Sequence, residues 1–320
     1  MLKSSGRFFV RLSILSRVFI IVFLCLFALW NVYLNLKVAY NHPRLVELHY
    51  GKEIVKIGPY NMTINKGKIV RQFYETSDGF FSLFGDPISV MQTNSGMIWS
   101  IQVFGLPITD PVAALSVLVR NHSIELGFAL GLILPILLAL VFGRVFCSYF
   151  CPASLLFFVT ARIRRSLSRF FYFPQIKMSK GVSWGLLFGG LAAAYIYGYG
   201  VWTFILPYFS MNQTLFQGLA LGTLSIAVGS IILFVLVDLV LGQQFTCRYI
   251  CPTGRLLGFI GTKSYISIKR NQPLCLDHCH SCAEICPMEV NPKLDETLNC
   301  SLCGECMVVC PSHCLSFGHK

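Results

Sequence analysis

Apolar residues in this chain gather into long runs separated by short polar and basic stretches, the pattern of spanning helices. A hydrocarbon layer roughly 30 Å thick needs about 20 apolar residues in a helix. Four stretches meet that length: about Val18 to Tyr40, Ile124 to Phe146, Val182 to Phe209 and about Gly218 to Leu241. Lys3, Arg7, Arg11 and Arg17 precede the first, as in a secretory leader. Its apolar run is too long for a leader and no small-x-small cleavage pattern follows, so it reads as an uncleaved span. After it come short alternating runs, Glu53 to Ile57 and Met62 to Asn65, which predict small strands. Thr109-Asp110-Pro111 predicts a helix start, with proline where no N–H is needed. The apolar run from Pro111 to Val119 is too short to span; it either lies on the membrane face or folds back into it.

Charge orients these spans. The stretch between the second and third carries Arg162, Arg164, Arg165, Arg169, Lys177 and Lys180 and no acid. Ser210 to Gln217, read as the loop between the third and fourth, has no charge. Asn41 to Ser123 holds seven basic and six acidic residues, close to balance. The N-terminus, the 147–181 loop and the tail are therefore expected in the cytoplasm, with segment 42–123 outside. Composition agrees: 12% of the residues are charged and 55% are hydrophobic, against about 25% charged in a soluble domain. The net charge of +12 is then topological, the partner surface is membrane lipid, and no nucleic-acid partner is expected.

The cysteines add chemistry. Eight of the fourteen fall between Cys275 and Cys310. Cys300-x2-Cys303-x2-Cys306-x3-Cys310-Pro311 is the bacterial ferredoxin run. Cys275-x3-Cys279-x2-Cys282-x3-Cys286-Pro287 repeats it with one extra residue, Asp277 or His278, in the first loop. In two-cluster domains the fourth cysteine serves the other cluster. That assigns Cys275, Cys279, Cys282 and Cys310 to one [4Fe-4S] cluster, and Cys300, Cys303, Cys306 and Cys286 to a second. Zinc is the alternative for four thiolates, but zinc sites usually pair two Cys-x2-Cys units across a longer gap.

A second pattern repeats at a distance of 100 residues. Gly143-Arg-Val-Phe-Cys147-Ser-Tyr-Phe-Cys151-Pro152 follows the second span, and Gly242-Gln-Gln-Phe-Thr-Cys247-Arg-Tyr-Ile-Cys251-Pro252 the fourth. Residues i and i+4 share a helical face, and repeated units often pack about a pseudo-two-fold axis. The two pairs are thus expected to approach each other as a four-thiol site. Buried structural thiols, a zinc staple, redox-active disulfides and a metal or redox centre all remain open; the paired recurrence favours the last. Cys25 and Cys314 are expected to be inert. Asp238, nine residues before Cys247, is expected about 13 Å deeper in the fourth span. An intramembrane carboxylate is usually functional. It reads either as a proton acceptor for quinol oxidation or as a partner of Arg144 or a backbone group. Arg144 itself is expected to snorkel to the surface.

These motifs together resemble the NapH-type membrane polyferredoxins, whose relatives include the ferredoxin domain of NosR and the CcoG/FixG-type proteins. The Leu106-Pro-Ile-Thr-Asp-Pro111 segment and the Arg-rich 162–169 stretch resemble them too, and the likeness covers roughly residues 100 to 315. It implies a bacterial inner-membrane protein moving electrons from menaquinol or ubiquinol toward a redox enzyme outside the membrane. The partner it implies is a periplasmic iron–sulfur protein of the NapG kind or a reductase. The chain would then be an electron-transfer subunit of quinol dehydrogenase type rather than a stand-alone enzyme. The segment from about Asn41 to Ser100 is longer than the family pattern, which points to a relative serving another respiratory reductase. Two rivals are a CcoG-like cupric reductase or oxidase maturation factor, and a cluster-based redox-sensing regulator.

The expected architecture is an α-helical integral membrane protein of four spans with a small α+β two-cluster ferredoxin-like domain. Its parts are 1–41, the cytoplasmic N-terminus and first span; 42–123, outside; 124–261, the membrane core with both cysteine pairs; and 262–320, the cytoplasmic ferredoxin domain.

Overall fold

The computed structural model describes residues 2–50, 53–57, 60–64, 66–94, 96–97, 99–103, 105–171, 176–179, 181–221, 225–276, 278–294 and 300–319. Asn65, Lys180 and Asp277, which entered the sequence argument, lie outside them.

The first apolar run sits inside one helix, α1 (Leu2–Tyr40). At 1.5 Å per residue its 39 residues reach about 58 Å, well beyond a bilayer core. Its stretch Gly6–Tyr40 is the one helix, among the described residues, long and apolar enough by itself to cross a membrane. The far end of α1 packs against helices the alternation did not reveal: α2 (Pro43–Tyr50), α3 (Lys66–Ser82) and α4 (Pro87–Thr93). Tyr33, Leu36, Val46, Tyr74, Phe81 and Met91 form their shared core. Strands β1 (Glu53–Ile57) and β2 (Tyr60–Ile64) pair antiparallel with Glu53 opposite Ile64. They match the two alternating runs.

A small meander follows: β3 (Gly96–Met97), β4 (Ser100–Val103) and β5 (Leu106–Thr109). It delivers Asp110 to the start of α5 (Pro111–Asn121), where Asp110 Oδ1 accepts from the N–H groups of Val112 and Ala113 at 2.8 and 3.3 Å. The predicted helix start is present. Val112, Ala113 and Ala114 are buried, and α5 packs on later helices, so it folds back into the core.

The second apolar run is α6 (Leu126–Leu130) and α7 (Ile133–Phe142), interrupted at Gly131. Gly131 is where β5 docks: its carbonyl accepts from Thr109 N–H at 3.0 Å, and a methyl there would strike the Thr109 hydroxyl. Then come α8 (Val145–Tyr149) and α9 (Ala153–Leu167). The third run is shorter than predicted. It forms α10 (Val182–Tyr197), stops at Gly198 with φ of 92°, and continues as a 3-10 turn, Tyr199–Phe204. The predicted loop at 210–217 is instead helical, inside α11 (Pro207–Leu221). Pro207 opens that helix, and two of its uncharged polar residues, Ser210 and Gln213, find partners within the protein. Ser210 Oγ donates to the Thr203 carbonyl, and the Thr203 hydroxyl donates to Gln213 Oε1 at 2.6 Å. Helix α11 packs against α1 and α12 (Ala227–Leu241).

After α12 a π-helical turn, Thr246–Ile250, leads into α13 (Pro252–Ile260). The tail is a small α+β unit. Strand β6 (Ile266–Arg270) pairs antiparallel with β7 (Leu315–His319), and α14 (Ser281–Ile285) packs on α15 (Glu305–Val309). Among the described residues the molecule is mostly helical, with one long apolar helix, shorter apolar helices and this cysteine-rich unit.

Candidate iron–sulfur centres

Two short helices and the Cys-Pro turns place the tail cysteines. Cys286, Cys300, Cys303 and Cys306 line one pocket with Ile268, Pro287 and Val290. This is the predicted second set, drawn from both halves of the tail. Cys282 feels the charge of Cys279 and Cys310, while Cys314 interacts with both Cys310 and Cys275. The first set is therefore also gathered in one region. Cys310 Sγ lies 3.5 Å from Cys314 Sγ, so the residue expected to be inert touches a candidate ligand. Among the described residues, no three His, Cys, Asp or Glu side chains converge tightly enough to hold a single ion.

Burial pushes the thiols of Cys300 and Cys303 up to about 12, with neighbouring Cys303 and Glu305 respectively adding to the effect. It raises Cys282 and Cys286 as well. Such thiols hold their protons at neutral pH until a metal charge replaces them, so loading these sites releases protons.

The two Cys-x3-Cys-Pro motifs meet as the repeat predicts. Cys151, Cys247 and Cys251 belong to one buried core, and Cys286 of the tail packs against it. Cys147 is close enough to act electrostatically on both Cys151 and Cys251. Gly254 permits this approach: a methyl there would sit 2.6 Å from Arg144 Nη2 and 3.5 Å from Cys147 Sγ. The repeated tyrosines perform equivalent tasks. Tyr149 OH donates to the Leu302 carbonyl at 3.2 Å, and Tyr249 OH donates to Glu289 Oε2 at 3.0 Å. Each motif thus ties itself to the tail next to a cysteine turn. Arg248 adds an ion pair to Glu289 at 2.8 Å.

Two expectations change here. Asp238 is not 13 Å away from the cysteine turn. Helix α12 ends at Leu241 and the chain reverses through Gln244, whose φ is 47°. Thr246 N–H therefore donates to Asp238 Oδ1 at 2.7 Å, one residue from Cys247. The carboxylate holds a backbone group rather than Arg144, and its Oδ2 is buried without a hydrogen-bond partner. Nor does Arg144 snorkel: it is 3% exposed and donates to the Cys247 carbonyl at 3.0 Å. A cation inside a packed repeat can stay buried when carbonyls face it.

The fit of this region to iron–sulfur groups rests on its donors. Arg17 Nη1, Arg144 Nε and Arg248 Nε are buried beside the cysteines and lack hydrogen-bond partners. Clusters held by thiolates are anionic and accept hydrogen bonds at sulfur, so orphaned cationic donors complement them. Sequence reasoning missed Arg17, reading it as topological charge. The available signal was that Ser13, Ser16 and Arg17 make a polar patch at the mouth of an apolar helix.

A separate half-open cavity of about 590 Å³ lies between α1 and the 66–105 region. Phe23, Phe27, Trp30, Phe80, Phe81 and Phe84 line most of it, with Thr93 and Asn94 as its polar members. Asp238 is not among its walls.

Comparison with known proteins agrees with this geometry. A family described as "4Fe-4S binding domain" matches residues 126–170 and 219–270, the two halves that carry the Cys-x3-Cys-Pro motifs. The ferredoxin-type protein NapH of Haemophilus influenzae is 28% identical over 228 residues, 67% of this chain and 76% of that protein. NapH of Escherichia coli is 29% identical over 216 residues, covering 64% and 72% of the two chains. The methylamine utilization ferredoxin-type protein MauN of Methylorubrum extorquens is 27% identical over 216 residues, covering 66% and 72%. No solved structure matches the chain significantly. With these relatives and the cysteine geometry in agreement, the chain is related to the NapH/MauN-type ferredoxin-type proteins, iron–sulfur proteins of electron transport.

Proposed function

We propose that this protein is a multi-pass membrane electron carrier that takes electrons from quinol and passes them toward a periplasmic iron–sulfur protein or reductase. The single observation that carries the reading is the continuity of the cysteines. The pocket of Cys286, Cys300, Cys303 and Cys306 adjoins the motif core through Cys286, and Cys147 and Cys303 share a second pocket. The tail holds two [4Fe-4S] groups on the two cysteine sets assigned from spacing. The four motif thiols hold a third iron–sulfur centre. These groups supply one-electron storage; the chain supplies burial, donors at sulfur and fixed spacing.

The aromatic cavity supports quinol as the donor. About 590 Å³ falls within the usual range for a ligand pocket, and its walls are flat rings with two polar side chains near Gly105. It follows α1 from Phe23, six residues and about 9 Å along the axis from Arg17.

The test is anaerobic mixing of the protein in lipid vesicles with a reduced quinol analogue, followed by EPR. Cluster signals should appear in the wild type and develop much more slowly in Trp30→Ala. Clusters that quinol leaves oxidised sink the reading; equal rates in Trp30→Ala remove the cavity from it.

A further inference from the structure

Arg17 lies where two centres meet, yet nothing in the motifs points to it. It is 3% exposed, inside the first helix. Its Nε donates to the Ser148 carbonyl at 2.6 Å, and the preceding Ser16 Oγ donates to the Tyr149 carbonyl at 2.6 Å. Both acceptors sit between Cys147 and Cys151. The guanidinium also stands 5.2 Å from the Phe158 ring centre. Its Nη1 has no hydrogen-bond partner. The pocket it lines includes Cys147 of the motif together with Cys303 and Glu305 of the tail. The charged groups facing it are Glu305 and, beyond Glu305, Arg162 and Arg165.

The helix is held there by close packing against the tail. A methyl on Gly6 would meet Met307 Cβ at 3.0 Å, one on Gly304 would meet Phe9 Cβ at 3.2 Å, and the Phe9 and Phe317 rings are 4.4 Å apart. The first helix is thus a wall of the ferredoxin unit, and Arg17 is the charge it inserts.

We propose that Arg17 couples the motif centre to the adjacent ferredoxin cluster, its guanidinium raising the reduction potential of the cluster held by Cys286, Cys300, Cys303 and Cys306. This rests on the iron–sulfur reading above. The physical reason is direct. Reduction adds one negative charge to a group already anionic, and a buried cation with a free N–H stabilises the reduced form more than the oxidised one. The cluster assigned to Cys275, Cys279, Cys282 and Cys310 has none of its cysteines in this pocket and should feel far less. Arg17 is a positioning and tuning residue; it need not touch quinol.

The experiment is an EPR-monitored redox titration of the full-length protein in detergent, with iron and sulfide counted on every sample. Cys310→Ser identifies the distal cluster's signal. Arg17→Gln should make the proximal cluster at least tenfold harder to reduce, a shift of about 59 mV for one electron, with the distal cluster moving much less. Arg17→Lys, which keeps the charge, should recover most of the shift. Glu305→Gln removes the facing negative charge and should move the same potential upward, and Arg17→Met, which also removes the charge, decides the matter if Arg17→Gln does not load. An unchanged proximal potential in Arg17→Gln, equal movement of both clusters, or no response to Glu305→Gln overturns the proposal. A wild type without clusters instead defeats the underlying reading.

Discussion

The two halves of the repeat come together at a pair of glycines, Gly143 and Gly261, and that contact can be tested by adding one methyl group. A Cβ on Gly261 would lie 2.6 Å from Gly143 Cα, 2.7 Å from the Ala139 carbonyl oxygen and 3.2 Å from Gly143 C. Carbon atoms in contact sit roughly 3.5–4.0 Å apart, so the chain segments must separate by about 1 Å. All three obstructing atoms are backbone, and none can rotate away. Overpacking of this kind costs about 1–3 kcal/mol, and the absence of a yielding side chain places Gly261→Ala at the upper end. At roughly 2–4 °C per kcal/mol for a chain of this order, the melting point should fall by about 5–10 °C. Gly143 precedes Cys147 by four residues, so the same displacement should loosen the four-thiol core and lower iron retention. The assay is thermal unfolding in detergent read by a thiol-reactive dye, alongside iron content. Gly229→Ala is the control, because its methyl meets nothing within 4 Å and alanine in a helix is favoured by about 0.5–1 kcal/mol. If Gly261→Ala melts with Gly229→Ala at or above the wild type, the close approach of the halves is wrong.

Further outcomes follow from the same contacts. Asp238→Ala leaves Thr246 N–H buried and unpaired, at a cost of about 1–3 kcal/mol, whereas Asp238→Asn keeps an acceptor. Quinol oxidation abolished in a well-folded Asp238→Asn would make the carboxylate a proton acceptor, while near-normal activity would limit it to holding the Cys247 turn. Cys286→Ser and Cys310→Ser should each perturb the cluster contributed mainly by the other half of the tail, seen as loss of one EPR signal with the other retained. Tyr149→Phe and Tyr249→Phe each remove one bond between motif and tail, about 0.5–1.5 kcal/mol, and should speed hydrogen exchange at 300–303 and 286–290 respectively. In the 42–123 segment, burial would raise the Asp78 carboxyl, but the hydrogen bonds from Lys37 and Tyr33 outweigh it and hold it below the ordinary carboxylate range. Its contribution is therefore present above about pH 4 and lost as pH falls through the lowered value. Asp78→Asn should flatten the acid limb of a stability–pH curve, and an unchanged limb would contradict this.

Cysteine chemistry was the most legible part of the sequence, because ligand spacing is a local property and the Cys-x3-Cys-Pro repeat announces its own symmetry. Helix starts with a capping side chain, such as Asp110 before Pro111, were legible for the same reason. What depended on chain reversal was not. The distance of Asp238 from the cysteine turn is not legible, because counting along a helix assumes that it continues, whereas Gln244 turns the chain back. Ser210 to Gln217 reads as a loop because hydropathy scores polar groups as solvent-seeking; Ser210 and Gln213 instead bond within the protein, and the segment is helical. Arg17 and Arg144 read as surface charges because basic residues flanking apolar runs usually are. Carbonyls at Ser148 and Cys247 explain their burial, and those partners lie 131 and 103 residues away in sequence.

A chain that gathers three iron–sulfur centres and fills them from quinol must show both properties in one preparation. Iron and acid-labile sulfide should be counted on anaerobically purified protein, and its EPR spectrum recorded before and after a quinol analogue is added. The expected result is about twelve irons per chain, four for each centre, and cluster signals that quinol induces. About eight irons would remove the centre at the four motif cysteines, and clusters that remain oxidised in excess quinol would rule out quinol as their electron donor.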